Sequence, residues 1–192
     1  DGDEEFSYYL NQNIQSLLYA EAFFTILSSK GNEVNSLVRT HSGTASSQGK
    51  NKSRSQTLDS LVLHLKLTKI DIIKIDVDGF DGEVLKGSRS ILANFKPAVI
   101  FEWHPKLILQ TGNDYEDAFK VLIESNYKLF LWYNKYGYFS FVTDVNSSLE
   151  LIAVFSAKSV NDWHYDIIAL HEDSKLNEQK LIDLEYSHLG IY

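Results

Sequence analysis

Three short apolar runs set the frame of this chain: "IDIIKID" (70–76), "PAVIFEW" (97–103) and "YKLFLWY" (127–133). Each has the length of a strand and is rich in β-branched or aromatic side chains, and helical stretches at 80–93 and 114–126 lie between them. Strand, helix, strand, helix, strand is the pattern of a parallel sheet with helices on its faces. Isoleucine at four of the seven positions of 70–76 predicts a strand buried on both sides. Pro97 opens the second run, where a missing amide is tolerated.

The flanking segments are less regular. Phe6, Tyr9, Leu10, Ile14, Leu17 and Leu18 predict a helix over 4–18. "EAFFTILSS" (21–29) and "NEVNSLVRT" (32–40) read as strands about the turn "SKGN". The stretch 41–57 has one alanine and no larger apolar residue, so a flexible loop is expected, with Lys50, Lys52 and Arg54 on it. Thr57 caps a short helix, "LDSLVLHL". Beyond the third run come a strand at 137–143, a helix at 147–157, a strand at 166–170 and a charged C-terminal helix within 174–192.

With 192 residues, 44% of them hydrophobic, the chain can build the core of one domain. A net charge of −8 argues against nucleic-acid partners and anionic membrane surfaces. The absence of cysteine excludes disulfides and thiolate metal sites, and no histidine pair has metal-ligand spacing on a helix, so no metal is expected. No apolar stretch approaches the ~20 residues of a membrane span. A soluble chain in the cytoplasm is the expectation. The lack of methionine, including an initiator, suggests a piece of a longer protein.

The first run ends in "KIDVDGFDGEVLKG" (74–87), with Asp76, Asp78, Asp81 and Glu83 in eight positions. Asp81 and Glu83 sit where a helix start favours acids. Asp76 and Asp78 lie at the carboxyl end of a buried strand, where open α/β sheets bind ligands. An EF-hand fails on register: counting from Asp76, the sixth position is Asp81 and the twelfth is Gly87. The stretch locally resembles haloacid-dehalogenase-like phosphatases, which implies Asp76 as nucleophile and Asp78 as acid/base, with "GNDYED" (112–117) as a later acidic motif. Phe80 stands where that family usually has threonine, and 75 residues precede the motif instead of a few.

A longer resemblance accounts for more residues. "QTLDSLV" (56–62), "IIKIDVDGFDGEVLKG" (72–87) and "PAVIFEWHP" (97–105) succeed one another as the hallmark segments of the FkbM family of S-adenosylmethionine-dependent methyltransferases do, and "HSGTASS" (41–47) resembles the family's small-residue loop. The likeness covers most of residues 1 to 135. Two family glutamates are here Asp78 and Asp81, each a methylene shorter. No glycine-rich loop precedes residue 70, and the opening "DGDEEFSYYLNQNI" resembles the segment just after the family's second strand.

The resemblance implies an α/β fold: a Rossmann-like class I methyltransferase sheet of order three-two-one-four-five-seven-six, lacking its first two strands, in a single partial domain over 1–192. A gap filled by another arrangement, or poor independent stability, is then expected, with methyltransferase activity belonging to the intact parent protein and this chain alone inactive. It implies S-adenosylmethionine as cofactor, with Asp76, Leu27 and Ser28 on the donor side, and Asp76, Asp78, Glu102 and His104 as catalytic candidates. Glu102 and His104 are two apart and share a strand face, so either can act as general base. The acceptor implied is a hydroxyl on a sugar, polysaccharide or other natural product. A binding remnant without catalysis is the alternative. Of Trp103, Trp132, Tyr133, Tyr136 and Tyr138, most are expected in the sheet core, while His64 and His171 read as structural or exposed.

Overall fold

The computed structural model describes residues 2–41, 44–46, 49–157, 163–175 and 178–188. Residues 42–43 and 47–48 of the expected loop, and 176–177 and 189–192 of the expected C-terminal helix, lie outside the described residues. The chain opens with α1 (Glu4–Ile14), whose first amides at Glu5 and Phe6 donate to the Asp3 carboxylate, each at 3.0 Å. Four short strands come next, β1 (Glu33–Asn35), β2 (Val38–His41), β3 (Thr44–Ser46) and β4 (Lys52–Arg54). β1 pairs antiparallel with β4, and β2 with β3.

The sequence expectations need two corrections in this region. Residues 21–29 form no strand: only Leu27 bridges to Gln56, with Ser28 N–H donating to the Gln56 carbonyl at 2.9 Å. A strand exists only through its ladder, and among the described residues this segment's pairing stops at Gln56. The polar stretch 41–57 carries β3 and β4 and folds back on 33–41, because backbone pairing needs no apolar side chains.

The rest builds one sheet and its cover: α2 (Leu58–Leu65), β5 (Ile72–Ile75), α3 (Asp81–Lys86), α4 (Arg89–Phe95), β6 (Ala98–Trp103), α5 (Pro105–Gln110), α6 (Asp117–Glu124), β7 (Tyr127–Asn134), β8 (Phe139–Thr143), α7 (Val145–Ala157), β9 (Tyr165–His171) and α8 (Glu178–His188). The five strands lie in the order β5-β6-β9-β7-β8. β5 and β6 are parallel, and β9 runs antiparallel between β6 and β7. The order and directions of β5, β6, β9 and β7 match those of strands four, five, seven and six of a Rossmann-like methyltransferase sheet, with β8 added through a hairpin.

The three apolar runs therefore point the same way, but the last element of the sheet separates the second from the third. β5 is at the sheet edge, which corrects its expected burial on both sides: Ile75 is 4% exposed, whereas Ile72 is 63% exposed. The single helix expected over 80–93 is two, broken at Gly87 and Ser88. Asp59 of α2 supplies the physical reason. Its carboxylate accepts from the amides of Ser90 and Ile91 at 2.9 and 3.0 Å, capping α4 from another helix.

The core is aromatic. Trp132 stacks on Phe119 at 5.6 Å and meets Trp103 edge-on at 5.8 Å, all three fully buried. Both indoles are satisfied: Trp103 donates to the Tyr115 carbonyl at 2.9 Å and Trp132 to the Thr143 hydroxyl at 2.8 Å. Trp132→Ala is expected to cost about 3–5 kcal/mol and Asp59→Ala about 1 kcal/mol. Denaturant melts check both, and equal losses would count against Asp59 acting as a cap alone.

Candidate active site

The parallel register pairs Ile75 with Phe101, so the next residues stand side by side, Asp76 just past the end of β5 and Glu102 near the end of β6. Asp76 receives the Lys74 ammonium at 2.6 Å on the open edge. The chain then turns sharply. Asp78 and Gly79 have φ of 50° and 87°, and the Phe80 amide closes the turn onto the Val77 carbonyl at 3.2 Å. Consecutive positive φ values are the pattern of a type I′ turn, which aspartate and glycine tolerate best. Gly79 is also pressed against α5: a Cβ there would overlap the Leu107 backbone. Its carbonyl accepts from the Thr111 hydroxyl at 3.0 Å and the Asn113 amide at 3.2 Å, fixing the turn to the end of that helix.

Asp81 opens α3 and is 1% exposed. Among the described residues neither of its carboxyl oxygens has a hydrogen-bond partner. Burial raises its pKa to about 7, only partly offset by nearby backbone amides, and the charge of Asp76 adds to the rise. Glu102 is raised to about 8, by burial first and then by Asp81, Asp76, Asp78 and Asp166. Asp78 is raised too, by burial and by Asp76. Glu83 is a different case. Burial pushes it up, but the Lys86 ammonium at 2.8 Å and the Ser29 hydroxyl at 2.5 Å outweigh this and hold it below the ordinary value. Lys86 also reaches Asp117 at 2.6 Å, tying α3 to α6.

β9 completes this end of the sheet. Its pairing sets Asp166 opposite Glu102 and Tyr165 opposite Trp103. One step further, His164 stacks on His104 with ring centroids 5.3 Å apart, and its Nε2 lies 3.6 Å from Glu102 Oε1. His164 and Asp166 are site residues that the sequence reading misses. The legible signal is their spacing, H-x-D at the start of a strand, the mirror of E-x-H at the end of another.

A cleft of about 560 Å³ opens beside β5, lined by α1, the 21–27 segment, α2 and residues 73–78. Asp76, Asp78 and Leu27 line it. Glu102 stands on the neighbouring strand β6 and His104 just past its end, at the N-cap of α5; neither lines the cleft. Ser28 is elsewhere: it is 2% exposed, with its hydroxyl 2.6 Å from that of Ser55. The cleft has the size of a small-molecule site, apolar along Leu27, Ile73 and Phe80 and acidic at Asp76 and Asp78. Lys74, in the same lining, already pairs with Asp76. Among the described residues no group of three acids and histidines is placed to hold a metal ion, and no helix is long and apolar enough to cross a membrane.

A family model, the methyltransferase FkbM domain, matches residues 4–138. No curated protein and no solved structure matches the chain.

The raised carboxyls fix the sign of a pH dependence. The folded chain keeps protons on Asp81 and Glu102 that the unfolded chain has released, so stability is full below the ordinary carboxyl range and falls as pH rises through about 7 and about 8. Melting temperature is expected to drop by several degrees between about pH 5 and 9, at roughly 2–4 °C per kcal/mol for a chain of this size. Asp81→Asn with Glu102→Gln flattens the drop. A melting temperature that climbs over the same range would count against buried acids.

Proposed function

The chain belongs to the FkbM methyltransferase family, and on that premise we propose that the domain to which it belongs transfers a methyl group from S-adenosylmethionine to a hydroxyl of a sugar, polysaccharide or natural product. The observation that carries the reading is the adjacency of Asp76 and Glu102 at parallel strand ends, with the cleft opening at Asp76. Bound in that cleft, S-adenosylmethionine supplies a methyl group activated by a cationic sulfur. Asp76 and Asp78 stand at the end suited to the cation, and Leu27, Ile73 and Phe80 offer apolar wall to its ring system.

Alignment and removal of the alcohol proton are what the protein contributes to such a displacement. Glu102 is the group to receive that proton. At neutral pH its raised pKa keeps it mostly protonated. Burial and mutual repulsion hold protons on Asp81 and Glu102, and a positive charge kept at the acidic end of the cleft would favour their release. His164, 3.6 Å from Glu102 and stacked on His104, offers the proton a path onward.

Two measurements test this. Glu102→Gln is expected to lower turnover by about 100-fold or more while donor binding is weakened severalfold, not abolished. Calorimetry in buffers of differing ionisation enthalpy should find more proton release near pH 7.5 on binding S-adenosylmethionine than on binding the uncharged S-adenosylhomocysteine. Donor binding with no turnover on any hydroxyl acceptor would support a binding remnant instead, and no donor binding at all would sink the proposal.

A further inference from the structure

The carboxyl end of the sheet carries a second feature that the cleft does not use. Between β7 and β8 the chain reads "NKYGY", and this turn is unusually well tied. Asn134 N–H donates to the Tyr138 carbonyl at 2.9 Å, and Gly137 N–H to the Asn134 carbonyl at 2.7 Å. The Asn134 side-chain oxygen accepts from the amides of Tyr136 and Tyr138 at 2.9 and 3.2 Å. Gly137 sits at φ 77°, where a side chain is strained. Four hydrogen bonds thus hold a short loop in one shape.

What the loop holds is exposed aromatic surface. Tyr136 and Tyr138 are 67% and 68% exposed, and Trp163, at the foot of β9, is 43% exposed. Tyr136 and Trp163 meet edge-on at 6.4 Å, with the Lys135 ammonium 5.3 Å from each ring. Tyr165 links them to the core, 6.1 Å from Trp163 and stacked on Phe155 at 5.3 Å. Large rings fixed outside the core add little to stability. They are the side chains that give contact area at small entropic cost when something binds.

The topology says where this surface lies. Asp166 of β9 is flanked by Glu102 on one side and by Tyr133 of β7 on the other. The tyrosine turn therefore stands at the same end of the sheet as Glu102: Tyr133 is two strand spacings from Glu102, about 10 Å, and the turn extends beyond Tyr133.

We propose that Tyr136, Tyr138 and Trp163 form a sugar-ring platform that holds an oligosaccharide acceptor across the sheet end, with a neighbouring sugar unit presented to Glu102. This rests on the methyl-transfer reading for its direction but not for the platform itself. Aromatic faces take the C–H face of a pyranose, and Lys135 supplies a hydrogen-bond donor beside them. The separation from Glu102 favours a chain of sugars over a single one, since the stacked unit is not the one that is methylated.

The test uses the full chain with trisaccharides of glucose, mannose, N-acetylglucosamine and rhamnose, each against its monosaccharide, monitored by the Trp163 indole N–H signal in NMR. At least one trisaccharide is expected to shift that signal and to bind more tightly than its monosaccharide. Its affinity should fall about tenfold in Tyr136→Ala and in Trp163→Ala, while circular dichroism and S-adenosylmethionine affinity are unchanged. Binding by no trisaccharide, undiminished affinity in both variants, or tighter binding of the flat phenol 4-nitrophenol than of any sugar overturns the platform. Sugar binding through Trp163 in a chain that fails to bind S-adenosylmethionine leaves the platform standing and removes the methyl-transfer reading alone.

Discussion

The double pairing of β9, antiparallel to β6 on one side and to β7 on the other, is the interaction on which the remaining structure depends. A strand inserted this way closes the gap between two strands that run together, and it delivers its own N-terminal residues to their carboxyl ends. His164 and Asp166 arrive beside Glu102 and His104 by that route, from roughly sixty positions later in the chain. The buried rings of Trp103, Trp132 and Phe119 pack on this arrangement and lock its register. A one-residue slip would turn the strand's side chains to the wrong face.

The same pairing places acid opposite acid, Glu102 against Asp166, which costs stability unless a proton or a cation intervenes. Asp81 and Glu102 respond by holding protons into the neutral range, chiefly because burial penalises their charge. Lys74 neutralises Asp76 at the surface but does not reach the deeper pair. Such stored electrostatic cost is common where a charged ligand is to be received, because the ligand relieves it on arrival.

Much of this is legible in the residues. The three apolar runs, the intervening helices and the acidic strand end all mark real elements, and the segments around Asp59, Asp76 and Glu102 carry the family resemblance that the domain match bears out. The illegible part depends on contacts distant in sequence. The break at Gly87 comes from Asp59 capping α4 across 31 and 32 residues. The failure of 21–29 to become a strand reflects a missing ladder neighbour, which apolar composition cannot report. Ser28 falls outside the cleft for a similar reason, since its bond to Ser55 ties it to a stretch that reads as loop. Asp81 has the sequence position of an ordinary helix-start acid, and only the packing around it makes it a buried, titratable one.

The position of β5 has a practical consequence. Ile72 stands largely in water on a strand that pairs, among the described residues, with β6 alone. Open strand edges recruit one another, and the charges of Asp71 and Lys74 interrupt this one. Crowding many copies together invites sheet-to-sheet growth well before heat loosens the aromatic core, so dilution protects this molecule in a way that cooling does not.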